Sequence, residues 1–530
     1  MDMNYERIPK EKFAFAQLNA NIHDKKLDTK ARGFFADAMI RFRKNKSSVI
    51  AAYIIGFLVL FAIIAPLVSP YTVQDKDTTY QNFPPFVESV ADLGIGILDG
   101  STVYDSLNDL QLANLYAIGT ETGMNPVIKE LSDIEKVSIY RGQERVTVYH
   151  RARVNRYYAK GIVYRTINYE EFQQIQEFQN ETGIQVLYPF VEKTGIYYEK
   201  DKETGEYVPM QAKDLANVSE NAQIWYRCSD TKGTPILDKN GNRIPAYSSN
   251  VAKAGPVEYN SIRVEGDDGS YIYSWGKSGS LQVRICYYNY YQFLNGKTPT
   301  YLFGTDEMGR DLFCAIGMGA RFSLIFAIIV SSINLTIGAI YGAIQGYYGG
   351  AVDLAMDRVA DILSGVPFIV VATLFQLHLA QKVGPIVSFL FAFVMTGWIG
   401  MAALTRKQFY RFKSQEYILA AKTLGASDWR LMFKHIFPNA LGTIITSCVL
   451  VIPGVISSET SLTYLGIINL SSFVGTSIGE LMSMGQVAME TAPHAMLFPA
   501  MFISLLLISF NLFGNGLRDA FNPSTRGVED

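Results

Sequence analysis

Six long apolar blocks, set apart by charged stretches, organise the chain: Val49 to Val68, Phe322 to Tyr341, Val359 to Ala380, Ile386 to Leu404, Leu441 to Ser457 and Met496 to Phe513. At about 1.5 Å per residue, a block of ~20 residues crosses ~30 Å of hydrocarbon, so each predicts a membrane-spanning helix. The first block exceeds the apolar region of a cleaved signal peptide and is expected to remain as an anchor. Arg41, Arg43, Lys44 and Lys46 precede it, which places its N-terminal end on the cytoplasmic side. The stretch between the fourth and fifth blocks carries Arg406, Lys407, Arg411, Lys413, Lys422, Arg430 and Lys434 against only Glu416 and Asp428, so it too is expected in the cytoplasm. Six spans with this orientation put both termini inside.

The same count places Tyr71 to about Arg321 outside, a segment long enough for a domain with its own core. Its alternating runs ERVTVYHRARV, GIVYRTI, YIYSW and LQVRICYYNYY predict strands, and DKETGEY, DKNGNRIP and EGDDGSY supply the Gly, Asn and Asp of tight turns. NYEEFQQIQEFQNETG predicts a helix, with Phe172, Ile175 and Phe178 on one face and Gly183 beyond its end. The segment therefore reads as an α+β domain.

Between the fourth and fifth blocks, EYILAAKTLGASDWRLMFKHIFPN (Glu416 to Asn439) has a different period. Tyr417, Ala420, Ala421 and Leu424 share one helical face, and Trp429, Met432, Phe433 and Ile436 repeat the pattern after Gly425. Two short helices meeting at a glycine are expected. Ser414 would cap the first, Gly425 would take positive φ at its end, Ser427 would cap the second, and Pro438 would stop it before the fifth span. A hairpin lying on lipid headgroups would account for the charges, but not for an Ala-Ala pair followed four residues later by Gly. A docking surface for another protein accounts for both.

Composition narrows the function classes. With 49% apolar and 18% charged residues, the chain mixes membrane and aqueous parts, and its net charge of −2 gives no general attraction for nucleic acid. Cys228, Cys286, Cys314 and Cys448 lie far apart without metal-ligand spacing, and the first two, both in the outside segment, form a candidate disulfide. NGKTPT (Asn295 to Thr300) looks like the end of a phosphate loop, but Tyr291 stands where the preceding glycine belongs, so it reads as a turn. His23, His150, His378, His435 and His494 are scattered, and no nucleotide site or hydrolase order is present, so catalysis by this chain is not expected. The span centres are almost free of charge, which argues against a proton-coupled carrier. Asp353, Asp357, Arg358 and Asp361 at the start of the third block read as an interfacial ion-pair network, in which Asp357 would pair with Arg358 or Asp361, rather than as an ion-coupling site.

LAAKTLG (Leu419 to Gly425) followed by HIFPNA (His435 to Ala440) resembles the cytoplasmic loop of ABC importer permeases, E-A-A-x-x-x-G then I and Leu/Phe-Pro, with Leu419 in place of the Glu. GASDWRLMFKHIFPN is similar to the oligopeptide/dipeptide/nickel branch. So are RFRKNKSSVIAAYIIGFLVLFAIIAPLVSPY, the segment FGTDEMGRDLF (Phe303 to Phe313), GARFSL, ETSLTYLG and FNLFGNGLRDAFNP. The resemblance covers roughly 41–70 and 302–523. The intervening stretch is a departure from it, because members usually have a short loop there.

The resemblance implies an α-helical polytopic membrane protein of the type I ABC importer permease fold, the C-type subunit, with six spans and an inserted α+β extracytoplasmic domain. Its parts would be a cytoplasmic segment 1–48, an anchor 49–68, the inserted domain 71–301, an outer-face segment 302–321, a permease core 319–515 containing the coupling loop 405–438, and a tail 516–530. Implied partners are a second permease subunit, two ABC ATPase subunits that hold ATP and Mg, an extracytoplasmic substrate-binding protein and membrane lipid. No cofactor, metal or nucleic acid is expected on this chain. Glu416, Ala420, Ala421, Gly425, Ala426, Ser427 and Asp428 would form the ATPase-coupling surface, and Gly304, Asp306, Gly309, Arg310 and Asp311 an outer-face motif that is either an ionic turn or a contact for substrate or binding protein. Cargo is expected to be oligopeptides or dipeptides, with nickel complexes or oligosaccharides as the alternative. A membrane-anchored receptor is the competing class.

Overall fold

A computed structural model describes residues 34–141, 143–188, 194–200, 203–204, 207–214, 257–259, 273–277, 280–470 and 475–521. Cys228 and the turns DKNGNRIP and EGDDGSY lie outside the described residues, and so does most of the tail. Among the described residues, five helices are long and apolar enough to cross a membrane: Lys46–Val68, Leu312–Tyr348, Pro385–Lys413, Asp428–Tyr464 and His494–Phe521. The expected third span is not continuous. Gly350–Ser364 and Phe368–His378 meet at a 73° bend, because Pro367 between them has no N–H to donate and disfavours helical backbone at Val366. Among the described residues the count is therefore five candidate spans plus one broken pair.

In chain order the bundle begins with α1 (Phe34–Lys44) and α2 (Lys46–Val68), the latter capped by Asn45, whose side chain accepts from Ser48 N at 3.3 Å. The long helix Leu312–Tyr348 carries Gly338, Gly342 and Gly346 in a stripe against Ile399–Lys413. A methyl at Gly342 would stand 2.2 Å from the Ala402 carbonyl oxygen, so the two backbones approach as closely as small residues at four-residue spacing allow. The last helix, His494–Phe521, packs along α2, and the Ser48 hydroxyl donates to Leu512 O at 3.1 Å. Leu58, Ala62, Ala327, Phe389, Ile456 and Leu506, from five helices, share one buried core.

Pro438 does not end a helix as the pattern suggests. Helix runs from Asp428 through a wide turn at Leu431–Ile436 into Phe437–Tyr464. The extra residue in that turn shifts the hydrogen-bond register where proline lacks a donor, so the helix continues.

The inserted domain is α+β. It opens with α3 (Glu88–Ala91), β1 (Ser101–Leu107), α4 (Asp109–Thr122), β2 (Val127–Tyr140) and β3 (Gln143–Asn155), then α5 (Arg156–Ala159), β4 (Ile162–Ile167) and α6 (Tyr169–Thr182). After β5 (Leu187–Tyr188), β6 (Thr194–Lys200), β7 (Tyr207–Asp214), β8 (Val257–Tyr259), β9 (Ser274–Lys277) and β10 (Ser280–Cys286), it closes with α7 (Tyr287–Asn295). The described sheets have strand orders β1-β3-β2, β4-β10-β5 with β9 on β10, and β7-β6-β8, and the pairings are antiparallel. The expected α6 is present, with Asn168 accepting from Glu171 N at 2.7 Å and Gly183 at φ 72°. YYNYY is helical rather than strand. A chain that buries tyrosines on several sides can do so from a short helix, and Tyr287, Tyr288, Tyr290 and Tyr291 are all buried.

These tyrosines pack with Tyr71, Tyr80, Phe83, Phe86, Tyr157 and Tyr301 into an aromatic core at the foot of the domain. Tyr71 and Tyr301 stack at 4.7 Å, and Phe86 and Tyr157 at 4.5 Å, so the chain leaving α2 and the chain entering the next span are joined by ring contacts. Cys286 is buried at the end of β10.

Candidate functional site

Two places singled out by sequence carry most of the side-chain chemistry, one at each end of the bundle. At the end nearest the inserted domain, Gly304, Asp306, Gly309, Arg310 and Asp311 are all buried. Arg310 Nε donates to Asp306 Oδ2 at 2.7 Å, with both side chains about as buried as the core, and Asp306 Oδ1 accepts from the amides of Met308 and Arg310 at 2.9 Å each. The guanidinium also donates to Gly475 O at 3.0 Å, reaching the loop before Ile478–Val487. Thr305 Oγ1 accepts from Phe83 N at 2.8 Å and donates to Tyr80 O, while His494 Nε2 donates to Thr305 O at 3.3 Å. Gly309 has φ 73°, and a Cβ there would stand 1.8 Å from Asp77 O. This turn is an ionic knot joining the first span, the second span, the inserted domain and the last helix. Its two central charges bond to each other and to neighbouring backbone, which gives the turn a fixed ionic framework.

Asp311 caps Leu312–Tyr348 by accepting from Phe313 N at 3.3 Å and Cys314 N at 3.2 Å, and receives the Ser69 hydroxyl at 2.7 Å. Burial outweighs these bonds and raises its carboxyl to about 6. The folded chain then holds a proton that the unfolded chain has lost between pH ~4 and ~6, so this group's contribution to stability falls as pH rises through that window. Asp311→Asn is expected to flatten the pH dependence there, as thermal unfolding of the purified chain between pH 4 and 8 would show; an unchanged slope would reject the assignment.

At the opposite end lies the elbow. Its first helix, Glu416–Thr423, starts after Gln415, while Ser414 instead terminates Ile399–Lys413. Neither Gln415 nor Ser427 makes a side-chain capping bond, contrary to the expected role of Ser414 and Ser427. Gly425 has φ 85°, and Ala426 N donates to Ala421 O at 3.1 Å, which closes this helix in a left-handed glycine turn as the spacing requires. Ile418, Leu431, Met432 and Ile436 are buried against Ala343 and Phe409, with Ala421 and Ala426 packed beside them. Glu416, Ala420, Gly425, Ser427 and Asp428 are exposed. The predicted second face splits: Met432 and Ile436 turn inward, whereas Trp429 is 64% exposed over Phe433 at 4.2 Å. Leu424 is 88% exposed and Leu419 53%. The elbow therefore presents ungreased apolar side chains on a backbone held from behind.

The Bacillus subtilis (strain 168) "Oligopeptide transport system permease protein OppC" is 40% identical over 242 residues, which are 45% of this chain and 78% of that protein. The chain belongs to that permease family. The model of the "binding-protein-dependent transport system inner membrane component" matches residues 335–527, and that of the "N-terminal TM domain of oligopeptide transport permease C" matches 33–85. The Bacillus subtilis "Dipeptide transport system permease protein DppC" is 38% identical, covering 42% of this chain and 69% of that protein, and the Escherichia coli (strain K12) OppC is 39% identical, covering 42% and 72%. Most of the inserted domain falls between the two matched segments.

In this ABC permease the elbow is wired to the bundle. Tyr347 donates its hydroxyl to Asp428 Oδ1 at 2.6 Å, and Lys413 Nζ donates to Tyr347 O at 2.8 Å. Arg406 bridges Asp353 at 2.5 Å and Asp357 at 3.0 Å, and Tyr410 also donates to Asp353. The acidic cluster is a network, as read from sequence, but Asp357 pairs with Arg406 from another helix, while Arg358 pairs with Asp361 at 3.2 Å. Sequence reasoning missed Glu459, which is fully buried, accepts from the Ser323 hydroxyl at 2.7 Å, and has no partner for Oε1 among the described residues. It lies just past the apolar block ending at Ser457, in a helix that the block underestimates. The missed signals are the Glu in ETSLTYLG and the G-x-x-x-G-x-x-x-G run from Gly338 to Gly346.

Proposed function

We propose that this permease is one of two different membrane subunits of an ATP-driven importer of oligopeptides or dipeptides, and that its elbow is seated on a cytoplasmic ATPase subunit. The observation that carries the reading is the exposed apolar set Leu419, Leu424 and Trp429 around Ala420 and Gly425, braced by the buried Ile418 cluster. Such a patch is costly in water and matches a complementary groove on a partner. The names of the relatives support the cargo, since they are oligopeptide and dipeptide permeases.

The basic residues around the elbow support a cytoplasmic location for it, and with it an inserted domain on the outside. Two ATPase subunits would bind ATP and Mg, close on them and move the elbow. The Tyr347–Asp428 and Arg406–Asp353 bonds would carry that motion to the spans as rigid-body displacement. The inserted domain would dock the extracytoplasmic binding protein or enclose the outer mouth. The test is uptake by the reconstituted complex of labelled peptides, nickel complexes and oligosaccharides. Peptide uptake alone is expected; uptake of only metal complexes or sugars would keep the machine and replace the cargo, and stable ligand-dependent signalling by the chain alone would replace the machine.

A further inference from the structure

Where the inserted domain meets the bundle, an open cavity of about 470 Å³ is walled by Tyr287, Tyr291 and Tyr301, with Gly309 of the ionic knot on its lining. That volume lies within the ~300–1,000 Å³ typical of small-molecule sites. Asp77 and Arg165 both line it. Asp77 is held in place, its Oδ1 accepting from the Tyr287 hydroxyl at 2.8 Å and from Thr79 N at 2.9 Å, while among the described residues nothing bonds to Oδ2. Arg165 is held differently. Its guanidinium lies over the Tyr290 ring at 4.7 Å, and among the described residues it makes no hydrogen bond, so its donors remain for a guest.

A fixed carboxylate and a ring-stacked guanidinium at one aromatic-walled cavity, with Asp75 and Lys76 also on its lining, complement a molecule that bears an ammonium at one end and a carboxylate at the other. A simple anion would meet Asp77, and a simple cation Arg165. We propose that this cavity binds a free short peptide, its terminal ammonium at Asp77 Oδ2 and among the tyrosine faces, its terminal carboxylate on Arg165. The site extends the peptide reading to the inserted domain and rests on that reading for its role, as a holding place beside the translocation path. Binding itself needs neither ATPases nor a binding protein.

The test therefore measures binding, separately from uptake. The full chain in lipid nanodiscs is titrated calorimetrically with trialanine, N-acetyl-trialanine and trialanine amide. Trialanine is expected to bind saturably, and each blocked peptide about tenfold more weakly. Arg165→Gln should weaken trialanine about tenfold but leave the amide unchanged, and Asp77→Asn should do the same for trialanine while leaving the N-acetyl peptide unchanged. Asp77→Asn preserves local bonding, since Asn still accepts from Tyr287 and Thr79, Arg165→Gln gives up the ring contact with Tyr290, and unaltered thermal unfolding checks both. No saturable binding, equal binding of blocked peptides, or unchanged affinity in both variants would overturn the site. Binding without peptide uptake would leave it standing and sink only the cargo.

Discussion

Arg310→Ala is expected to destabilise the chain by about 3–5 kcal/mol, because it strands the buried Asp306 carboxylate without its counter-charge. The loss also removes the bond to Gly475 O, so the loop before Ile478–Val487 should loosen with the turn. Arg310→Lys keeps the charge but not the planar fork, which now serves Asp306 and Gly475 from different nitrogens, and should recover part of the loss. Removing both charges, Asp306→Ala with Arg310→Ala, should cost less than the sum of the single changes, since neither charge is left alone. Denaturant or thermal unfolding of the purified permease reads all four. If Arg310→Ala unfolds like the parent, the knot does not hold the domain to the bundle.

The second large effect concerns the elbow and leaves stability alone. Leu424 projects into solvent and touches little of its own chain, so Leu424→Asp should shift folding by no more than about 0.5 kcal/mol. A charge at the centre of a docking patch should instead cost about 2 kcal/mol or more of association, roughly a 30-fold weaker complex with the ATPase subunits. Ala420→Trp should act alike by steric block. Copurification of the ATPases and peptide-stimulated ATP hydrolysis should both collapse while membrane insertion persists; normal copurification and uptake would sink the coupling assignment. Ala421 and Gly425 are less clean targets. Ala421 packs against the Ile418 cluster, and any side chain at Gly425 meets strained backbone at φ 85°, so substitutions there mix folding with docking. Leu419, where the motif has Glu, presents an exposed apolar side chain on the same surface.

The elbow was legible because its signals are local. Glycine at a helix end reports a left-handed turn wherever the helix goes, and an Ala-Ala pair four residues before it reports close approach. Which side of the second helix faces outward was not local: Trp429 and Met432 carry equal hydrophobic weight in the pattern, and only the packing of Met432 on Phe409 separates them. The ionic knot shows the same division. Its charged residues were visible as a turn, but its partners Asn82, Phe83, Gly475 and His494 are up to hundreds of residues away, and no spacing rule connects them.

Hydropathy by itself determined the membrane class, the position of the blocks and the existence of an α+β insertion, because burial in hydrocarbon and strand alternation are averaged over many residues. Tertiary structure alone decided that Pro367 breaks the third block while Pro438 is absorbed in a wide turn, since the cost of a missing donor depends on the register around it. It also decided that Asp357 bonds Arg406, that Glu459 is sealed between helices, and that tyrosines from four separate stretches form one core. Each of these is a contact between distant segments, and its energy exists only once the chain has brought them together.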